Sequence, residues 1–289
     1  MTSEENENPL IINHSGGLIR RMDNQLELMN RVLGEISERK SEIIPAASSF
    51  MGSRAGEERD WEIAPDVKMT FCWCPPGEFL MGSPKAAEEQ LCDEDQVEVK
   101  LTKGYWMGKT QVTQAQWFAI MEKNPSKFRG DELPVERVNW FATQDFLIKI
   151  NQFVGHTDKG QMVLPTEAQW EYACLAGNKG LYSGGTIHEV AWYDKNSEGQ
   201  THPVGLKNPN IWGLFDMHGN VWEWCADHHE ERLPGGVDPC VSNTDECPVY
   251  KGGGWYSDEF FCLAARRSYS APAHCSCGLG FRVARISIP

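Results

Sequence analysis

The chain lacks any apolar run of about 18 residues, the length a membrane-crossing helix needs, so no transmembrane helix and no membrane insertion is expected. Positive charge is also scarce: 27 Lys and Arg stand against 41 Asp and Glu, a formal charge of −14. Binding to a phosphate backbone draws much of its affinity from Lys and Arg, so nucleic acid and anionic membrane are not the expected partners. The opening MTSEENENPL is acidic where an export signal needs a positive stretch, and no apolar core follows it. The compartment is not fixed by this. The expectation is cytoplasmic unless a leader was removed or the protein is carried on a virion or cell surface. No phosphate loop is present, because GGGW at 252–255 has neither the Lys nor the Ser/Thr of one. His202, His218, His228 and His229 form no HExxH-like pair and read as loop and surface residues. No internal repeat occurs.

What is present fits a large globular domain with an appendage. The 289 residues are 40% hydrophobic and 24% charged, which is ordinary, but 11 Trp and 27 Gly are many. That combination predicts short elements joined by long, packed loops. The 10 Cys are scattered through a chain too long to need disulfide staples, so most read as free thiols, and Cys174 in WEYACLAG reads as a small buried hydrophobe.

From Leu18 to Ile44 the pattern is one helix with a heptad seam at Met22, Leu26, Met29, Leu33 and Ile36, which would bring copies together or pack on its own domain. Pro45 to Gly56 reads as a linker, dividing the chain into 1–56 (helix and linker) and 57–289 (main domain). MTFCWCPPGEFLMGSP reads as a hairpin turning at Pro75, Pro76 and Gly77. Three helices are marked by their starts: Thr113 with Gln116 ahead of AQWFAIMEK, Asn139 ahead of WFATQDFLIKINQF, and Thr166 with Gln169 ahead of EAQWEYACLAG. Asn124 with Pro125 should stop the first, Phe146, Ile150 and Phe153 give the second its apolar spacing, and Gly177 should end the third. Beyond Gly180 short strands such as VWEWCAD and KGGGW take over, giving an α+β class with an irregular C-terminal half.

The last segment breaks every periodicity. Gly252, Gly253, Gly254 and Trp255 open it, and Leu279, Gly280, Phe281, Arg282 and Val283 close it. Between them the residues follow neither helical nor strand spacing. Irregular sequence rich in aromatics and Ser inside a glycine frame suits an adaptable binding surface, with Tyr giving stiff contact area and Ser adaptable hydrogen bonds. The glycines read as sites of positive φ or close backbone approach, Trp255 as core and Arg282 as an ion-paired or carbonyl-binding group. Arg266 and Arg267 could meet an acidic ligand.

PPGEFLMGSP (75–84), KTQVTQAQW (109–117), LPVERVNWFATQDF (133–146), LPTEAQWEYA (164–173), NIWGLFDMHGNVWEW (210–224) and GGGW with GLGFRVAR follow one another in an order that resembles the formylglycine-generating-enzyme (sulfatase-modifying-factor) family, from about Cys72 to Ile286. The resemblance implies a decorated C-type lectin fold with helices flanking small sheets and both domain ends near one another. For catalytic members it implies copper held by two cysteines, spaced C-x4-C after the glycine motif, that oxidises a substrate cysteine; thiolates suit Cu(I) as soft ligands. Between Trp255 and Arg266 this chain has only Cys262, and Cys275 and Cys277 read as incidental thiols. A copper-dependent cysteine oxidase using Cys262 and another thiol is the enzymatic alternative. In some relatives NVWEW contributes to a calcium site. Here only Asn220, Glu223 and backbone groups can be nominated, short of the six or more oxygens calcium takes, so structural hydrogen bonding is the expectation for both.

The C-terminal frame is more similar to the variable proteins of diversity-generating retroelements, some of which share this fold and close with an LGFR-type motif. Their adenine-directed mutagenesis of Asn codons yields Ser, Tyr, Phe, Ala, His, Cys, Gly and Asp, but not Lys, Glu, Gln, Met or Trp. Tyr256, Ser257, Asp258, Phe260, Phe261, Ser268, Tyr269, Ser270, Ala271, Ala273, His274, Cys275, Ser276, Cys277 and Gly278 fall in that set, Glu259 does not, and Leu263 and Arg266 complete the candidate surface. This resemblance implies a non-catalytic protein whose partner is a protein or cell-surface ligand. Tyr256, Phe260, Phe261 and Tyr269 would be its aromatic anchors. Ser257, Ser268, Ser270 and His274 would be its polar contacts.

Overall fold

The computed structural model describes residues 50–83, 95–155, 159–243 and 245–288. The helix expected at Leu18–Ile44, its seam and any association through it lie outside the described residues. Among those described, no helix is long and apolar enough to cross a membrane.

The main sheet has five strands, in the order β1 (Glu58–Ala64), β2 (Val67–Cys74), β5 (Tyr105–Gly108), β14 (Ala284–Ser287) and β6 (Gly160–Val163). All its neighbours are antiparallel, and it holds the first and last strands of the domain together. The second half of β2 and all of β5 are buried on both faces, which is why they read as unbroken apolar runs and not as alternation. Residues 50–56, assigned to the linker by composition, already belong to this unit. Gly56 N–H donates to Trp73 O at 2.9 Å, and the Trp106 indole donates to Phe50 O at 2.7 Å.

A second sheet joins β3 (Gly77–Met81), β4 (Val97–Leu101) and the short β10 (Gly236–Val237). The expected hairpin is therefore wrong. Strands β2 and β3 do not pair, and the Pro75–Pro76 step carries the chain from one sheet to the other. Proline lacks the N–H a ladder needs, and Gly77 lies so close to α-helical neighbours that a Cβ there would meet the Tyr172 hydroxyl at 2.2 Å.

The three helices start where side-chain capping puts them. Helix α1 (Gln114–Met121) and helix α3 (Glu167–Leu175) each carry a reciprocal box, Thr113 with Gln116 and Thr166 with Gln169. In α2 (Trp140–Val154) the Asn139 side chain accepts from Ala142 N–H at 2.9 Å. Helix α1 ends at left-handed Glu122, before Asn124 and Pro125, and α3 ends at left-handed Ala176 followed by Gly177. Phe146 and Ile150 of α2 are buried, whereas Phe153 is only half-buried. A single turn, α4 (Ile187–Val190), leads into a two-stranded pair of β7 (Ala191–Trp192) and β8 (His218–Gly219).

The last sheet positions the candidate site. Its order is β12 (Arg267–Tyr269), β11 (Pro248–Lys251), β9 (Trp222–His228) and β13 (Leu279–Phe281), with β13 parallel to β9. VWEWCAD is a strand as expected. KGGGW is one only to Lys251, because Gly252 and Gly253 take φ of 100° and 76° and leave the ladder. Strand alternation gives this sheet two faces. Glu223, Cys225 and Lys251 point one way, and Trp222, Trp224 and Tyr250 the other, with the Tyr250 ring edge-on to both indoles at 5.2 Å.

Candidate binding surface

The segment 256–278 supplies the edge strand β12 of this sheet, and its remainder is held beside Trp222 by its backbone. Pro272 O accepts from Trp140 N–H, Ser276 O from Arg137 N–H and Cys277 O from the Trp255 indole, each at 3.0 Å. Gly278 O accepts from Trp222 N–H at 2.8 Å. Carbonyl anchoring leaves side chains uncommitted: Ala271, Ala273, His274 and Cys275 are all exposed. The glycine frame is required by space. A Cβ on Gly253 would stand 2.6 Å from Cys262 Sγ, and one on Gly280 would stand 2.4 Å from Val135 O.

The four aromatic anchors are exposed: Tyr256 47%, Phe260 38%, Phe261 45% and Tyr269 49%. Tyr256 and Phe261 flank Trp222, the first reaching its indole and the Ser276 side chain, the second edge-on to it at 6.2 Å. Phe128, Trp255 and Tyr256 continue the cluster edge to edge. Tyr269 stands apart. From β12 it pairs with Val249 of β11, on the reverse face from Ser268, and lies on the His229 ring at 3.8 Å.

Several nominated residues are not available. Ser257 is buried and closes the frame, its hydroxyl accepting from Gly254 N–H at 3.0 Å. Gly278 is buried beneath the Tyr256 ring, where a Cβ would meet Cε1 at 2.2 Å. Arg266 is buried under Phe261, its guanidinium 5.6 Å from that ring. Arg267 is buried in a two-pronged ion pair with Glu167, at 2.9 and 2.7 Å, and so is not offered to an acidic ligand. Asp258 is exposed but serves the turn at Phe260–Cys262, accepting from Phe260 and Phe261 N–H. Leu263, Ser268, Ser270, Ser276 and Cys277 are half-buried.

Behind the surface lies a buried ionic layer. The Glu223 carboxylate accepts four N–H bonds: from Gln111 Nε2 (3.0 Å) and Arg282 Nη2 (2.9 Å) on one oxygen, and from Trp170 Nε1 (2.7 Å) and Arg282 Nε (3.0 Å) on the other. Arg282 also donates to Gly108 O and Phe215 O, which makes it both ion-paired and carbonyl-bound. The Gln111 amide nitrogen lies 2.8, 3.2 and 3.3 Å from Val221, Gly219 and Asp216 carbonyls. Oxygens thus converge on one point as they would on a hard cation, and an amide NH2 occupies it. Asn220 exchanges two 3.0 Å hydrogen bonds with the His202 backbone. Calcium does not fit these residues, since the carboxylate and the carbonyls are already engaged by donors.

Cys262 is fully buried among Ile187, Val190 and Tyr193, and burial pushes its thiol well above the ordinary value. His218 is buried too, contrary to expectation, as is His228. Ser183 N–H donates to His218 Nε2 at 3.0 Å, so Nδ1 carries the proton and donates to Cys262 O at 2.7 Å. Burial holds its pKa down to about 4, which keeps the ring neutral.

A model of the sulfatase-modifying factor enzyme 1-like domain matches residues 62–287. The chain belongs to this family. It is 33% identical over 203 residues to the chaperone protein LppX of Paenibacillus barcinonensis, covering 53% of this chain and 70% of that one. It is 31% identical over 194 residues to the formylglycine-generating enzyme of Mus musculus, covering 54% and 51%. The chain thus spans about half the length of that enzyme. Among solved structures, Treponema denticola variable protein 1 superposes with a TM-score of 0.70 at 27% identity, covering 78% of this chain and 98% of that one. PvdO from Pseudomonas aeruginosa shares the fold, with a TM-score of 0.70, 24% identity and coverage of 81% and 99%. The family's decorated C-type lectin-like architecture is therefore that of this domain.

The residues that sequence reasoning missed are the supports: Gln111, Trp222, Tyr250 and the N–H groups of Arg137 and Trp140. The W-E-W alternation of β9 was the signal for two faces. Nothing local marks Arg137, whose φ of 60° brings its N–H to Ser276.

Proposed function

We propose that this protein is a non-catalytic, variable-type binding protein that presents Tyr256, Phe260, Phe261, Ala271, Ala273 and His274 to a protein or cell-surface ligand. The observation that carries this reading is the division of labour in segment 256–278: its carbonyls are tied to Trp140, Arg137, Trp255 and Trp222, while its aromatic side chains are 38–49% exposed. The likeness to a protein named variable protein 1 supports it. Exposed Tyr and Phe on a stiff backbone lose little entropy on binding and supply the contact area that dominates interfaces.

The copper-dependent oxidase is the poorer reading, because the one thiol in the matching stretch is buried beneath Gly253 and disfavours its thiolate. A library randomised at the six positions and displayed on yeast decides between them. Most members should fold, and sorting against an arbitrary soluble protein should return binders. A library in which most members unfold would sink the proposal, and stoichiometric Cu(I) uptake lost in Cys262→Ala, with turnover of a Cys-containing peptide, would favour the oxidase.

A further inference from the structure

The second sheet ends at β3, and hydrogen bonding in β4 fixes which way the groups of that edge point. Lys100 turns its carbonyl to β10, accepting from Asp238 N–H at 2.8 Å. Its neighbours Val97, Val99 and Leu101 therefore turn their N–H and C=O groups to β3, opposite Met81, Phe79 and Gly77. Those of Glu78, Leu80 and Gly82 then point away from the sheet. Gly82 agrees with this, since its N–H donates to the Glu171 carboxylate at 2.7 Å. The backbone groups of Glu78 and Leu80 have no such partner among the described residues. The edge at β6 is closed by contrast, because the Asn151 side chain takes both backbone groups of Met162, at 2.7 and 2.8 Å.

The open edge borders a trough of about 650 Å³ lined by Phe79, Tyr172, Leu175, Leu181, Trp212 and Leu263. Phe79, Tyr172 and Trp212 pack in a row, with ring centroids 5.2 and 5.1 Å apart. Leu80 and Leu181 are 53% and 71% exposed. Alternation turns Phe79 and Met81 to the core, and Glu78 and Leu80 to an outer face that they share with Lys100 and Glu98 of β4. The charges of that face are two carboxylates and one ammonium. Lys100 holds Glu78 at 2.7 Å, and Glu98 has no ion pair among the described residues. Lys179 lines the trough and not the outer face. The excess on the outer face is therefore negative.

We infer that the edge of β3 is a further binding site, which takes an extended peptide segment as a fourth strand beside β3. The segment alternates apolar residues, turned into the trough, with basic residues, turned to the outer face. Backbone pairing with Glu78 and Leu80 holds it, and its alternate side chains give selectivity. A Lys or Arg beside Leu80 lays its stem along that side chain and brings its charge to Glu98. This goes beyond the binding surface of Tyr256 and Phe261 and does not depend on it.

Random peptides of about ten residues, displayed on phage and selected on the whole protein, test this. Selected peptides should alternate apolar residues with Lys or Arg. Only every second N–H of an added strand meets β3. Methylating the backbone nitrogens of a selected synthetic peptide in one alternate set should weaken binding about tenfold or more, and in the other set by about twofold at most. Leu80→Pro removes an N–H that no ladder uses, a change an edge strand tolerates, and should cost about tenfold in binding. Glu98→Lys, at an exposed position, should keep the melting temperature and cost about threefold. No selected peptide, peptides without the alternation, or equal effects of the two methylated sets would overturn the site. So would peptides whose binding is lost in Tyr256→Ala/Phe261→Ala, although the surface of those two aromatics would then stand.

Discussion

The four-stranded sheet and the loop 271–275 beside it obey opposite rules. On one face of the sheet each buried charge is specified by a partner: Glu223 by Arg282, Gln111 and Trp170, Lys251 by Glu171 at 2.9 Å and by Ala265 O, and Arg267 by Glu167. The other face is buried too, through Trp222, Trp224, Leu279 and Phe281, whereas the loop 271–275 is anchored through the Pro272 carbonyl and exposes Ala271, Ala273, His274 and Cys275. A buried charge left without its partner is far costlier than an exposed residue changed for another. The sheet can therefore be intolerant while the loop beside it is permissive.

The largest effect that sharpens this contrast comes from Arg282→Leu. It strands the Glu223 carboxylate and should cost about 3–5 kcal/mol, or abolish folding, by urea denaturation. A loss under about 1 kcal/mol would erase the distinction between sheet and loop. Next, Gly253→Ala places a Cβ against Cys262 Sγ at a φ of 76° and should destabilise by about 1–3 kcal/mol. Gln111→Ala should cost about as much, through the unpaired acceptors it leaves. The vacated point would also make the melting temperature respond to added calcium, as the parent's should not. Equal responses from parent and variant would show that the amide does not stand in for a cation.

A smaller effect concerns pH. Burial, with the Glu167 carboxylate adjacent, pushes Asp227 up to about 7 from an ordinary 3.8. The folded state then holds this proton more tightly than the unfolded chain does, so the contribution is fully present below 3.8 and is lost as pH rises through about 7. The parent should lose more stability than Asp227→Asn between about pH 5 and about pH 8. Parallel urea midpoints would contradict that. Smallest of all, Ala273→Ser and His274→Ala should change stability by no more than about 0.5 kcal/mol, and larger losses would mean that the loop is specified after all.

Much of the scaffold was legible because it is local. Thr113, Asn139 and Thr166 start their helices through hydrogen bonds that span three residues, and nothing distant competes with them. The order of motifs gave the family, and the glycine frame marked the segment that carries the exposed aromatics. What failed was long-range. MTFCWCPPGEFLMGSP has the spacing of a hairpin, but β2 found β5 and β3 found β4. Ser257, Arg266 and Gly278 carry residue types suited to a surface, yet the first closes a turn, the second lies under Phe261 and the third lies under Tyr256.

The amino-acid sequence by itself determined where helices begin, where the glycine frame lies and that the frame encloses residues free of periodicity, because each depends on neighbours along the chain. Only the tertiary structure decided which of those residues face solvent, that Tyr269 stands apart from Tyr256 and Phe261, and that Gln111 fills the point where a cation would sit. Those outcomes depend on strand register and on contacts between residues separated by up to about a hundred positions and more, as between Gln111 and Glu223 or Glu167 and Arg267.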